Sequence, residues 1–159
     1  MKSDISTIEN SARGEPRFVG SETELNSFLD QWRAGTLPKS EWTHAAHVAV
    51  AACHLFDHPV DEALQQIRDG IIHYNTCVGT ANTDHSGYHE TLTRFWCELI
   101  ADFLRTRGFS SRLEFVRASL SRFGHDSTLF RSYYTLDVVK DVRARREWIA
   151  PDRHPPTKP

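Results

Sequence analysis

At 159 residues, with 39% hydrophobic and 25% charged side chains, the chain can bury one core and is short for two. Its 19 Lys and Arg against 21 Asp and Glu give a formal net charge of −2, which lacks the basic footprint a nucleic-acid binder needs. The three cysteines have no CxxC spacing, no run approaches the ~18 apolar residues of a bilayer span, and the first twenty residues hold no apolar signal core, so a cytoplasmic protein with neither membrane nor nucleic-acid partner is expected.

Residues 1–20 read as a flexible lead-in, 21–150 as one helical domain, and 151–159 as a proline-rich tail. SETE at 21–24 is a capping-box pattern. Leu25, Phe28, Leu29 and Trp32 follow at helical spacing, and Gly35 supplies the stop. A second helix, capped by Ser40 or Thr43, runs to about Phe56, and its alanines leave almost no polar face, which predicts burial on most sides. Pro59 suits the first turn of a third helix with a stripe of Val60, Leu64, Ile67, Ile71, Asn75 and Val78, ended by Gly79. GTANTDHSG is a loop by composition. YHETLTRFWCELIADFLRTRG then predicts a fourth helix facing inward through Leu92, Trp96, Ile100 and Phe103. Leu113, Val116, Leu120 and Phe123 mark a fifth helix, and Leu136, Val139, Val142 and Ile149 a sixth. No alternating strand pattern of useful length occurs, so the fold class is all-α, a single-domain bundle of about six helices.

The unusual feature is EWTHAAHVAVAACHLFDH at 41–58, where positions 44, 47, 51, 54 and 58 share one helix face and four of the five are histidine. Helical spacing of i, i+3 lets two imidazoles converge on one ion, and His89, extrapolated onto the inward face of the fourth helix, offers a third. If the second and fourth helices run parallel, His44, His47 and His89 meet at one end of the bundle. Three neutral imidazoles with an open position suit one divalent transition metal, Zn, Fe, Cu or Ni. The competing reading makes them hydrogen-bonded core residues. His54 and His58 fall toward a helix end, where the macrodipole alone favours them. His125-Asp126 spells the doublet of HD-type phosphohydrolases without the accompanying histidine and aspartate at suitable spacing.

Around this constellation Asn75, Asn82 and Thr93 are candidate substrate contacts, with helix capping as the alternative for Asn75. Glu90 is a candidate base or fourth ligand, although Arg94 at i+4 makes a surface ion pair the simpler role. Tyr134 is a candidate proton donor or a packing anchor. Arg143, Arg145 and Arg146 could receive an acidic group or form a solvated face. The loop between Gly79 and Gly87 is placed to act as a lid.

With LPKSEWTHAAH, YN at 74–75, NT at 82–83, GYHETLTRFW and the late AR-x-EW-x-x-PD, the chain resembles a family of small bacterial proteins sharing WTHxAH and GYHET blocks over most of residues 36–152. The resemblance implies that the two histidine blocks belong together and attaches no activity to them. The leading expectation is a metal-dependent enzyme acting on a small molecule, by hydrolytic or oxidative chemistry. The alternative is a non-catalytic ligand-binding or sensory helical module. No nucleotide-binding loop or nucleophile elbow is present.

Overall fold

The computed structural model describes residues 16–154, so most of the expected lead-in and the last five residues of the tail lie outside the described residues. Within this range the chain is all-helical. Helix α1 spans Glu22–Ala34, α2 His44–Asp57, α3 Val60–Cys77, α4 Glu90–Arg107, α5 Arg112–Phe123 and α6 Val142–Arg146, with short 3-10 turns at Arg17–Val19, Lys39–Glu41 and Leu129–Tyr133.

The caps are local and chemical. Ser21, Thr43 and Ser111 each turn a side-chain oxygen onto a backbone N–H three residues on, and Gly35 closes α1 in the left-handed region. Thr43 rather than Ser40 opens α2, because residues 39–41 are spent in their own 3-10 turn. Helix α2 is the centre of the bundle and packs against α3, α4 and α5. Ala46, Ala49 and Ala52 are wholly buried, and such small side chains let neighbouring helices approach from several directions. The near-absence of a polar face on α2 is explained by this position.

Helices α1 and α3 meet through a close contact at Gly70. A Cβ there would lie 2.1 Å from Cη2 of Trp32, itself buried, so the ring of one helix rests on the bare backbone of the other. Where the sequence reads as a lead-in, Val19 is fully buried, and Arg117 of α5 donates to the carbonyls of Val19 and Gly20. Those residues are docked on the bundle.

Three apolar stripes differ from their predicted positions. On α3 the buried set is Ala63, Ile67, Ile71, Tyr74 and Asn75, while Val60 at the helix start is exposed. On α4 Phe95, Cys97 and Leu99 join Ile100 and Phe103 in the core, because this helix is covered on more than one side. The expected sixth helix over 136–149 shrinks to the five residues of α6. Asp137 and Asp141 turn their carboxylates onto the N–H groups of Val139 and Ala144, and such local bonds compete with a continuous helix. Val138 and Ala144 are the buried positions of this stretch, and Val139 is exposed.

The segment after α6 is tied to α4 by Thr91. Its buried hydroxyl donates to the Glu147 carbonyl at 2.8 Å and accepts from the Ile149 N–H at 3.0 Å. No helix among the described residues is long and apolar enough to cross a membrane.

Candidate functional site

A cavity of about 530 Å³ opens between α2, α3 and α4. Its floor is apolar, with Val48, Ala51, Ile67, Ile71 and Leu92, and its walls carry the aromatic rings of Trp42, Trp96, Tyr88 and Phe130. The size and the mixture of apolar surface with a few polar groups are those of small-molecule sites. The starts of α2 and α4 both border this space, so His44, His47 and His89 line it together. Two histidine blocks distant in sequence are therefore brought to one cavity, by helix starts that share an end of the bundle.

What the imidazoles can do is set by their other partners. The His44 Nε2 lies 2.8 Å from the Phe123 carbonyl, and the His47 Nδ1 lies 2.8 Å from the Thr43 carbonyl. A carbonyl only accepts, so each of these ring nitrogens carries the proton and, in a neutral ring, the other nitrogen is an acceptor. His89 is different. Its Nε2 donates to the Val138 carbonyl at 2.8 Å, and its Nδ1 accepts from the Leu92 N–H at 3.2 Å. With extended backbone angles, His89 is the N-cap of α4 rather than a residue on its inward face. Both of its nitrogens are thus used.

This bears on the expected metal. Among the described residues no group of three or more His, Cys, Asp or Glu side chains is arranged to hold an ion. A zinc-type ligand also needs a free lone pair on each ring, which His89 lacks in this conformation. The donor set does not fit a three-histidine centre.

Packing also makes the rings poor bases, although His44 is only half-buried and His47 keeps one side in water. Desolvation lowers the pKa of His44, His47 and His89 and outweighs the backbone hydrogen bonds that favour the charged form; for His47 it reaches about 4. His54, buried against Trp32 with its Nδ1 on the Val50 carbonyl, is lowered for the same reason. An unfolded chain titrates its histidines near 6.5, so below that pH it binds protons that the folded state refuses. The histidine contribution to stability is therefore complete above about pH 6.5 and falls as pH drops toward the folded-state values. We expect the urea-unfolding free energy to fall by about 2 kcal/mol between pH 7.5 and 5.5, discounted because water reaches His47 through the cavity. Equal stability at the two pH values would contradict this assignment.

Of the remaining sequence candidates, Asn75 and Thr93 line the cavity. Asn82 does not. Its side-chain oxygen accepts from the Asn75 amide at 2.9 Å and the Tyr88 N–H at 3.0 Å, and its amide donates to the Ile72 carbonyl at 3.3 Å. It is the internal staple of the loop. Gly87 makes room for it: φ is 74°, and a Cβ would lie 2.6 Å from both the Ala81 carbonyl and the Asn82 side chain.

Glu90 and Tyr134 are likewise outside the cavity lining. Glu90 faces α3, where Arg68 donates to both carboxylate oxygens, Nε at 3.0 Å, and the Tyr88 hydroxyl adds a bond of 2.7 Å. Burial pushes this carboxyl upward, but the bonds from Arg68 and Tyr88 prevail and hold it below the usual carboxylate range. The partner expected at i+4, Arg94, instead pairs with Glu98 and covers the Trp148 ring. The Tyr134 hydroxyl donates to the Ile149 carbonyl at 2.8 Å, and burial raises its pKa, so it serves as a packing anchor.

Two of the three arginines of the last helix hold the loop. Arg146 pairs with Asp84, Arg145 donates to the Gly87 and Tyr88 carbonyls, and Arg143 pairs with Glu147 on its own segment. The expected lid is therefore clamped from outside by α6 and from within by Asn82. Trp42 is the wall residue that sequence reading passed over. Its ring lies 3.8 Å from that of His47 and 5.1 Å from that of Tyr74, and the only advance signal was an aromatic residue directly before the Thr43 cap.

No family model, curated protein or solved structure matches the chain. A functional reading therefore rests on the cavity.

Proposed function

We propose that this chain is a helical small-molecule-binding domain in which the cavity between α2, α3 and α4 is the binding site and the histidines on its wall are hydrogen-bonding groups. The observation that carries the reading is the joint arrangement of an open-mouthed, aromatic-walled cavity and imidazoles already oriented by backbone carbonyls. Orientation of this kind lowers the ordering cost of binding, since the polar groups are held before the ligand arrives. The apolar floor favours a ligand with a hydrophobic body.

The test uses the neutral fluorophore N-phenyl-1-naphthylamine. Trp42 and Trp96 line the cavity, so an occupant should quench tryptophan emission saturably, at one site per chain. Thr93→Phe adds bulk at the lining and should weaken binding by roughly tenfold or more without loss of helical circular dichroism, since filling a pocket removes contact area from the ligand. Non-saturable binding, or binding indifferent to this change, would count against the site. Stoichiometric binding of zinc by wild-type protein, lost in His47→Ala, would replace the reading with a metal centre.

A further inference from the structure

We infer that the ligand of this cavity is a flat, neutral aromatic molecule bearing an O–H or N–H donor, which it gives to the unprotonated nitrogen of His47 or of His44. The inference rests on the binding-site reading above and adds the chemical class of the occupant. Three observations carry it.

The first is the fixed sense of the two imidazoles. Because the Phe123 and Thr43 carbonyls can only accept, His44 presents Nδ1 and His47 presents Nε2 as lone-pair nitrogens, and neither has a hydrogen-bond partner among the described residues. His89 offers nothing further, since the Val138 carbonyl and the Leu92 N–H take both of its nitrogens. The histidine wall is thus an acceptor surface. Acceptors in a partly desolvated site favour a ligand that pairs with them by the few-fold worth of one net hydrogen bond.

The second is the shape implied by the rings. The imidazole of His47 lies against the indole of Trp42 at 3.8 Å between centroids, and that of His44 against Trp96 at 4.7 Å. Each acceptor is therefore mounted beside an indole, so a planar ligand packed against this aromatic wall brings its edge within reach of a nitrogen. The third is charge. Among the lining residues Lys39 is the one with a formal charge, and it is exposed at the margin of the cavity. No carboxylate lines the cavity to receive an organic cation, Asp126 acting on His44 from outside the lining and being held there by Thr128, and two lone pairs oppose the oxygens of an anion. A neutral donor is the class that pairs with this acceptor wall without opposing its charge.

The test compares three naphthalenes of similar body by calorimetry at pH 7.5: 2-naphthol, a neutral donor; 2-methoxynaphthalene, which cannot donate; and 2-naphthoate, an anion. We expect 2-naphthol to bind roughly three- to tenfold tighter than its methyl ether, the range of one net hydrogen bond, and 2-naphthoate to bind most weakly. In His47→Phe the advantage of the naphthol over the ether should shrink while the ether keeps its affinity, with His44→Phe as a parallel variant and circular dichroism confirming the fold of each. Equal binding of naphthol and ether by the wild-type protein, or preference for the carboxylate, overturns the inference and leaves the pocket standing. Failure of all three to bind overturns the pocket itself, and the wild-type ranking decides the matter even if neither variant folds.

Discussion

Replacing Phe95 by alanine is expected to cost about 3–5 kcal/mol of unfolding free energy, the range for emptying a fully buried aromatic site. The ring has no exposed surface. It sits edge-on to Trp96 and Tyr133, with centroids 5.4 and 5.0 Å away, and 6.1 Å from Tyr134. It therefore joins α4 to the segment that follows α5. For a domain whose total stability is on the order of 5–15 kcal/mol, this loss should leave the variant marginal at 37 °C. Urea unfolding would show it as a lower midpoint with an unchanged slope. Phe95→Leu keeps part of the volume and should lose only about 1–2 kcal/mol. A Phe95→Ala loss below 1 kcal/mol would mean that the surrounding aromatic residues collapse into the space.

Arg68→Met should have the second-largest effect, about 2–4 kcal/mol, because it strands a carboxylate between α3 and α4. The side chain of Glu90 is only 11% exposed, and with Arg68 gone the Tyr88 hydroxyl is the one remaining donor to it among the described residues. The upper end of the range is discounted because Arg68 itself is partly open to water. The sign of the pH response identifies the mechanism. In the wild type the Glu90 pKa lies below its unfolded value, so the pair contributes above the ordinary carboxylate range and is lost as pH falls through the folded value. In Arg68→Met, burial alone should raise it, so the variant's deficit should narrow as pH is lowered and Glu90 takes a proton. A deficit that stays constant with pH would point to lost packing of the arginine stem instead.

Five of the six helices were legible in the sequence because their ends are written in local chemistry. Ser21, Thr43 and Ser111 cap through their own side chains, and Gly35 and Gly108 stand where helices stop. The burial of α2 was legible too, since a run of alanines has no polar face to expose. The sixth helix was overextended because apolar residues at helical intervals say nothing about Asp137 and Asp141, whose carboxylates divert the backbone into turns. For the site, periodicity located His44 and His47 and paired them with His89, and all three do line one cavity. Ligand geometry was beyond its reach. The carbonyls that occupy ring nitrogens belong to Phe123 and Val138, far away in the chain, and a helical wheel carries no record of them. Glu90 was misread for the same reason: its partner is Arg68 on another helix, while the neighbour at i+4 looks elsewhere.

The carbonyls that orient the imidazoles also give the cavity a folding order. His47 is tethered four residues away within its own helix, so its ring can be set as soon as the first turn of α2 forms. His44 waits for a carbonyl 79 residues distant and His89 for one 49 residues distant, and closing chain loops of that length costs entropy before any contact repays it. Recognition through His44 is then a property of the completed chain topology, and affinity for a donor ligand reports that long-range closure, which helix content does not.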